Sequence, residues 1–471
     1  VSDAVAASTP ETAGPSMEFH PQPQPGLPSP WDFPAPERGQ LPNGLTVLRC
    51  HRPGQQVVAV EVVLDAPLDA EPEGLDGVAT IMARAFSEGT DKLSAEDFTA
   101  ELERCGATLD AHADHPGVRV SLEVPASRLP KALGLLADAL RAPAFPDNEV
   151  ERLVLNRLDE IPHELANPAR RAAMALAAEL FPAGTRMSRP RQGSQETVER
   201  IDAAAVRAFY EAHVRPAAAT VVVVGDFTGV DLDHALAESL GAWTGGPAEP
   251  RPMPAISTED AGRVVIVDRP GAVQTQLLLG RVGTDRHDRA WPAQVLGTYC
   301  LGGTLTSRLD RVLREEKGYT YGVRAFCQAL RSAPDGTGLG MVAVSGSVDT
   351  PNTGPALEDL WGVLRTLAAE GLTEAERDVA VQNLVGVAPL KYETAAAVAG
   401  TFADQVEQYL PDDYQAGLYE RLAETGTVEA TAAVVNAFPA DRLVTVLVGD
   451  AAEIAEPVKA LGIGPVTVVS A

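Results

Sequence analysis

Arg314 and Tyr321 are two side chains whose types could do chemistry. They stand seven positions apart in L-R-E-E-K-G-Y-T-Y. A guanidinium and a phenol are both hydrogen-bond donors suited to a developing negative charge. Gly318, between them, is expected to end the helix carrying Arg314 and to turn the chain into a strand carrying Tyr321. On residues alone the blander reading is the stronger: a surface salt bridge for Arg314 and an ordinary strand aromatic for Tyr321.

Other candidates carry less. His112 and His115 in D-A-H-A-D-H-P-G invite a metal, but a spacing of three on a strand puts them on opposite faces. His163 and Glu164 follow Pro162, which disrupts a helix and so implies a surface turn. Cys50, Cys105, Cys300 and Cys327 are scattered without a C-x-x-C pair. Reduced thiols are the simpler reading, with Cys300 and Cys327 as small buried apolar residues. Gly302-Gly303 ahead of T-L-T-S-R-L lacks the lysine and the strand–turn context of a phosphate loop.

The chain that positions these groups has 471 residues, enough for two to four domains of about 150 residues. Its composition, 45% hydrophobic and 22% charged, is that of a globular protein. With 38 basic against 65 acidic residues the net charge is −27, a field that repels phosphate backbones and argues against nucleic acid as a partner. No apolar run approaches the roughly 18 residues needed to cross a bilayer, and no basic-then-apolar leader opens the chain. The expectation is a soluble, cytoplasmic protein with no membrane partner.

Residues 1–39 are rich in Pro, Ser, Ala and acidic residues and read as a flexible arm, with order expected from Leu41. Residues 245–260 have linker composition. They separate two halves, 40–244 and 261–471, that look alike. The first closes on T-V-V-V-V-G-D and the second on L-V-T-V-L-V-G-D, with Asp226 and Asp450 lying 224 positions apart. F-P-D-N-E-V-E-R-L-V-L-N-R-L and G-L-T-E-A-E-R-D-V-A-V-Q-N-L keep nearly the same offset, so a unit of about 220 residues is duplicated, too long a period for a solenoid. In the first unit residues 57–64 and 118–124 read as strands. A helix between them is capped by Ser94 and stopped by Gly106, and further helices are predicted over 129–140, 148–160 and 203–213. Strand and helix alternate without a regular βαβ beat. The fold class is therefore α+β: two homologous domains, each a mainly antiparallel sheet with helices packed on one face.

Four segments together resemble the pitrilysin/insulinase family of zinc peptidases. They are L-P-N-G-L-T-V-L at Leu41, G-V-A-T-I-M-A-R-A-F-S-E-G-T at 77–90, the G-G-x-x-x-S-R-L-x-x-x-L-R-E-x-x-G-x-x-Y block at 302–321, and the two V-G-D strands. In active members the second segment reads G-x-x-H-x-x-E-H-x-x-x-x-G-T, in which two histidines bind zinc and the glutamate polarises water. Without a gap, the histidine positions here hold Thr80 and Arg84, and the glutamate position holds Ala83. Glu160, 76 residues after Arg84, falls where the family keeps its third ligand. The resemblance thus implies a degenerate motif, with no metal and no cofactor in this chain. It also implies that Arg314 and Tyr321 hold a substrate backbone and stabilise an oxyanion, and that Gly302 and Gly303 form a flexible substrate-side loop. Short members of the family work as pairs, one subunit bearing zinc and the other the Arg/Tyr pair. The expected partner is a paralogue with an intact H-x-x-E-H motif and zinc, and the expected substrate an unstructured peptide. The alternative is a non-catalytic scaffold or peptide-binding subunit of a larger assembly.

Overall fold

The computed structural model describes residues 31–246 and 261–470. Most of the predicted arm and nearly all of the predicted linker lie outside the described residues. From Phe33 onward the chain forms one compact unit.

Twelve strands form two six-stranded sheets. In the first half β1 is Glu37–Gln40, β2 Thr46–His51, β3 Val57–Leu64, β4 Thr108–Asp114, β5 Gly117–Pro125 and β6 Ala219–Gly225, in the order β1-β2-β6-β3-β5-β4. In the second, β7 is Arg263–Asp268, β8 Gln274–Gly283, β9 Val323–Ser332, β10 Gly338–Asp349, β11 Val444–Gly449 and β12 Val466–Ser470, in the order β12-β7-β11-β8-β10-β9. The five strands β2-β6-β3-β5-β4 map in order onto β7-β11-β8-β10-β9, with the pairs β2–β6 and β7–β11 parallel and the remainder of these ladders antiparallel. The sixth strand breaks the duplication: β1 joins β2 antiparallel, whereas β12 comes from the other end of its half and joins β7 parallel. Since β1 starts at Glu37 and Phe33 is buried, order begins before Leu41, inside the segment read as an arm.

Alternation explains the layering. Val118, Val120, Leu122 and Val124 of β5 are fully buried, and their face packs with the helices Val78–Ala85, Ala95–Cys105, Leu129–Arg141 and Ala203–His213. Ser94 caps the second of these by accepting from Asp97 N, and Gly106 ends it with φ 63°. Asp226 and Asp450 close equivalent strands in the same way, accepting from Gly54 N at 2.8 Å and from Gly271 N at 2.7 Å.

The opposite face of each sheet takes one helix from the other half. Helix Pro168–Leu180 sets Ala172, Leu176 and Leu180 against Val265, Val267 and Leu278 of the second sheet. Helix Ala395–Glu407 crosses the other way onto β3 and β6. This exchange ties the two halves into one body.

Candidate functional site

The helix Val78–Ala85 carries the motif positions. It starts at Gly77, whose φ of 104° and close approach to Gln192 O, 2.8 Å from where a Cβ would sit, leave room for glycine alone. The amides of Gly77 and Ala79 donate to Glu71 Oε1 at 2.9 and 3.1 Å, and Arg186 Nε donates to Glu71 Oε2 at 2.7 Å. Burial pushes the Glu71 carboxyl up, against the charge and hydrogen bond of Arg186 and the two amides.

Thr80 and Ala83 are buried on this helix, and Thr80 Oγ1 finds no hydrogen-bond partner among the described residues. Arg84 reaches to Glu160 on the helix Asp147–Ala166, Nη1 to Oε1 at 2.8 Å and Nη2 to Oε2 at 2.9 Å. Arg157, only 1% exposed, donates to Glu160 Oε2 at 3.1 Å, to Glu164 Oε2 at 2.7 Å and to Gln192 O at 3.1 Å. Burial alone would raise the Glu160 carboxyl, but the hydrogen bonds from Arg84 and Arg157 outweigh it and hold it below the ordinary range. Two of the four motif positions therefore meet, as an ion pair. A guanidinium has no lone pair to give a metal, an alanine has no donor, and one carboxylate shared by two arginines is a poor ligand. These residues do not fit zinc.

The second-half segment is anchored by Arg308, part of the quoted block, and by Asp310, which the sequence pattern did not single out. Arg308 donates to Glu376 Oε1 at 2.6 Å, to Oε2 at 2.7 Å and to Gly371 O at 2.7 Å. Fully buried Asp310 accepts from Val323 N at 2.7 Å and pairs with Arg324. Between these anchors Arg311–Glu316 winds as a π-helix, and Gly318, with φ 67°, ends it, as expected. Arg314 is about one-third exposed and paired with its neighbour Glu315. Tyr321 stands two residues ahead of β9, not on the strand as expected, and is 96% exposed. Gly302 closes the helix Trp291–Gly302 against β9, where a Cβ would lie 2.4 Å from Ala325 N, and a Cβ on Gly303 would strike the Tyr299 ring. Close packing thus demands glycine at both positions.

Two minor readings change. Pro162 lies inside the helix Asp147–Ala166, so His163 and Glu164 are helical rather than on a turn. A proline there removes one backbone bond, and the twenty-residue helix absorbs the loss. His115 belongs to the turn after β4, so the alternation argument does not apply to it, and both His112 and His115 line one cavity. Loss of water around the His115 ring pushes its pKa down to about 4, against the Asp114 charge. Among the described residues no group of three or more His, Cys, Asp or Glu side chains could hold a metal ion. Cys300 is buried and Cys327 half-buried, and burial pushes their thiols up to about 12 and about 11.

A partly buried charge cluster was also missed. Arg119 on β5 donates to Glu407 Oε1 at 3.0 Å and to Asp404 Oδ1 at 2.7 Å, both on the helix that crosses from the other half. Beside it Glu61 of β3, 8% exposed, accepts from Ser121 Oγ at 2.7 Å.

Two repeated α+β halves carry an Arg84–Glu160 ion pair in the first and an Arg–Tyr segment in the second. The profile described as "Insulinase (Peptidase family M16)" matches residues 46–191, and that described as "Peptidase M16 inactive domain" matches residues 200–384. The chain belongs to this family, the pitrilysin/insulinase peptidases. It is 25% identical over 370 residues to a protein named an uncharacterized zinc protease from Streptomyces coelicolor, covering 77% of this chain and 78% of that one. It is 23% identical over 354 residues to the "Non-peptidase homolog YmxG" of Helicobacter pylori, covering 75% and 80%. Among solved structures, a peptidase M16 inactive domain from Pseudomonas fluorescens matches with TM-score 0.78 at 22% identity, over 88% of this chain and 98% of that one. A protease from Helicobacter pylori matches with TM-score 0.79 at 19% identity, over 88% and 100%. No helix among the described residues is long and apolar enough to cross a membrane.

Proposed function

We propose that this chain is the non-zinc subunit of a heterodimeric metallopeptidase, lending Arg314 and Tyr321 to the zinc site of a paralogous partner. The observation that carries the reading is the asymmetry between the halves. The first closes its metal position with the Arg84–Glu160 ion pair, while the second keeps the whole Arg–Tyr block with Tyr321 held out in solvent. The Helicobacter relative named a non-peptidase homologue supports the inactive half of this reading. Arg308 and Asp310 supply the rigid anchors that such a contribution in trans requires. The substrate is an unstructured peptide: among the described residues β4 pairs only with β5, and its open edge beside the motif helix suits an added strand. Four free cysteines and a net charge of −27 favour a reducing, cytoplasmic setting without nucleic acid.

One observation favours the second reading, a scaffold or peptide-binding subunit: Arg314 already has a partner, Glu315, within its own chain. Variants in the assembled pair decide between them. Arg314→Ala and Tyr321→Phe should each lower peptide turnover by about 10²-fold, the scale of one lost oxyanion donor, without dissolving the complex. Wild-type turnover from both variants overturns the proposal.

A further inference from the structure

A cavity of about 540 Å³ opens where the two halves meet, within the size range of small-ligand sites. Its floor is apolar and adaptable. Met174, Met187 and Met341 line it, half of the six methionines in the chain, together with Phe326 and Leu330. Its polar lining is cationic in an otherwise acidic protein: Arg157, Arg170, Arg189 and Arg191 against Asp114 and Glu164. Both carboxylates are engaged, Asp114 by Arg191 at 2.8 and 3.1 Å and Glu164 by Arg157 at 2.7 Å. Arg189 is held by Asp76. Arg170 is the least compensated, about two-thirds exposed and 3.6 Å from the Glu164 oxygen that Arg157 leaves open. Two edge strands contribute to the cavity lining as well. β4 brings His112 and Asp114, and β9 brings Phe326, Gln328 and Leu330, alternate residues that share one face. Among the described residues each of these strands pairs on one side only.

We infer that this cavity binds the C-terminal end of a peptide, its free carboxylate beside Arg170 and its last apolar side chain among the methionines. A carboxylate needs a guanidinium with donors to spare, a flexible apolar side chain suits a thioether floor, and open strand edges supply the backbone partners that a peptide requires. A free fatty acid shares the carboxylate and the chain but would leave those edges unused. The site lies wholly within this chain and needs no partner subunit, so it stands or falls independently of the role given to Arg314 and Tyr321.

The test uses the full chain with methionine methyl groups labelled with carbon-13. The probes are an N-acetylated tetrapeptide ending in leucine with a free carboxylate, the same peptide amidated, and decanoate. The free-acid peptide should shift the Met174, Met187 and Met341 methyl signals saturably and leave that of core Met82 in place. The amide should bind about tenfold more weakly, the worth of one charge-assisted contact. Arg170→Ala should weaken the free-acid peptide by a similar factor, and Ala173→Trp, which fills the cavity from an exposed helix position, should abolish the shifts. Equal binding of acid and amide, no shift with the peptide up to about 5 mM, or binding by decanoate and not by the peptide would each overturn the inference.

Discussion

Arg84 and Glu160, 76 positions apart, form a two-bond ion pair at 2.8 and 2.9 Å that joins the motif helix to its neighbour. In a zinc peptidase of this family the resemblance places metal ligands at both positions. Here a cation built into the protein takes the carboxylate instead. The pair is partly exposed, so its worth lies near that of a good surface bridge, about 1 kcal/mol. Glu160 sits below its ordinary pKa in the fold, so its contribution is present at neutral pH and is lost as pH falls through the folded-state value. Arg84→Ala should therefore lower stability by about 1 kcal/mol at pH 7 and by much less at pH 3, read from urea melts at the two pH values. An equal loss at both would contradict the assignment.

If the metal position is lost only through its side chains, restoring them should restore the metal. Thr80→His, Ala83→Glu and Arg84→His in one chain, with Glu160 left in place, should retain about one zinc per molecule after desalting. Adding Glu160→Gln to that variant should release most of it. A triple variant as metal-free as wild type would show that the helix itself has moved out of register.

Glu61 predicts a pH dependence of opposite sign. Burial, opposed by the Ser121 hydrogen bond and the Arg119 charge, raises its carboxyl to about 7. The folded chain then holds a proton that the unfolded chain has released, so stability falls as pH rises from about 4.5 to about 7 and levels off above. The loss is of order 2–3 kcal/mol. Glu61→Gln should flatten this slope and make the chain more stable than wild type at pH 8. An unchanged slope in melts between pH 5 and 8 would show that Glu61 is not its source.

Arg119 spans the halves through Asp404 and Glu407. Arg119→Ala leaves the largely buried Glu407 without its cation and should cost about 3 kcal/mol, with faster proteolysis of the helix Ala395–Glu407. The double variant with Glu407→Gln should recover part of that loss. Full additivity of the two changes would show that they do not interact.

Elements with local signals were legible in the sequence. β3 begins and ends where its valine run does, and Ser94 and Gly106 bound their helix as cap chemistry requires. The duplication was legible because two separate segments keep nearly one offset. What could not be read were destinations. The spacing of Ala172, Leu176 and Leu180 announces an apolar stripe, but nothing local says that it lies on the other half's sheet. Glu61, one charge within V-V-A-V-E-V-V-L, gave no hint of its surroundings: Ser121 and Arg119 come from a strand about 60 positions on, and Asp404 and Glu407 from more than 340 positions away. Pro162 misled because a proline's effect depends on how well the rest of its helix is packed. The family resemblance named Thr80, Ala83, Arg84 and Glu160, while the ion pair that joins the last two needed coordinates.

The most direct measurement is peptide cleavage by this chain alone, by the zinc-bearing paralogue alone and by the two together, with zinc counted in each sample. A subunit that lends Arg314 and Tyr321 in trans predicts cleavage by the mixture only, with all of the zinc in the paralogue. Full activity from the paralogue alone, unchanged when this chain is added, would contradict that role, as would zinc and cleavage in this chain by itself.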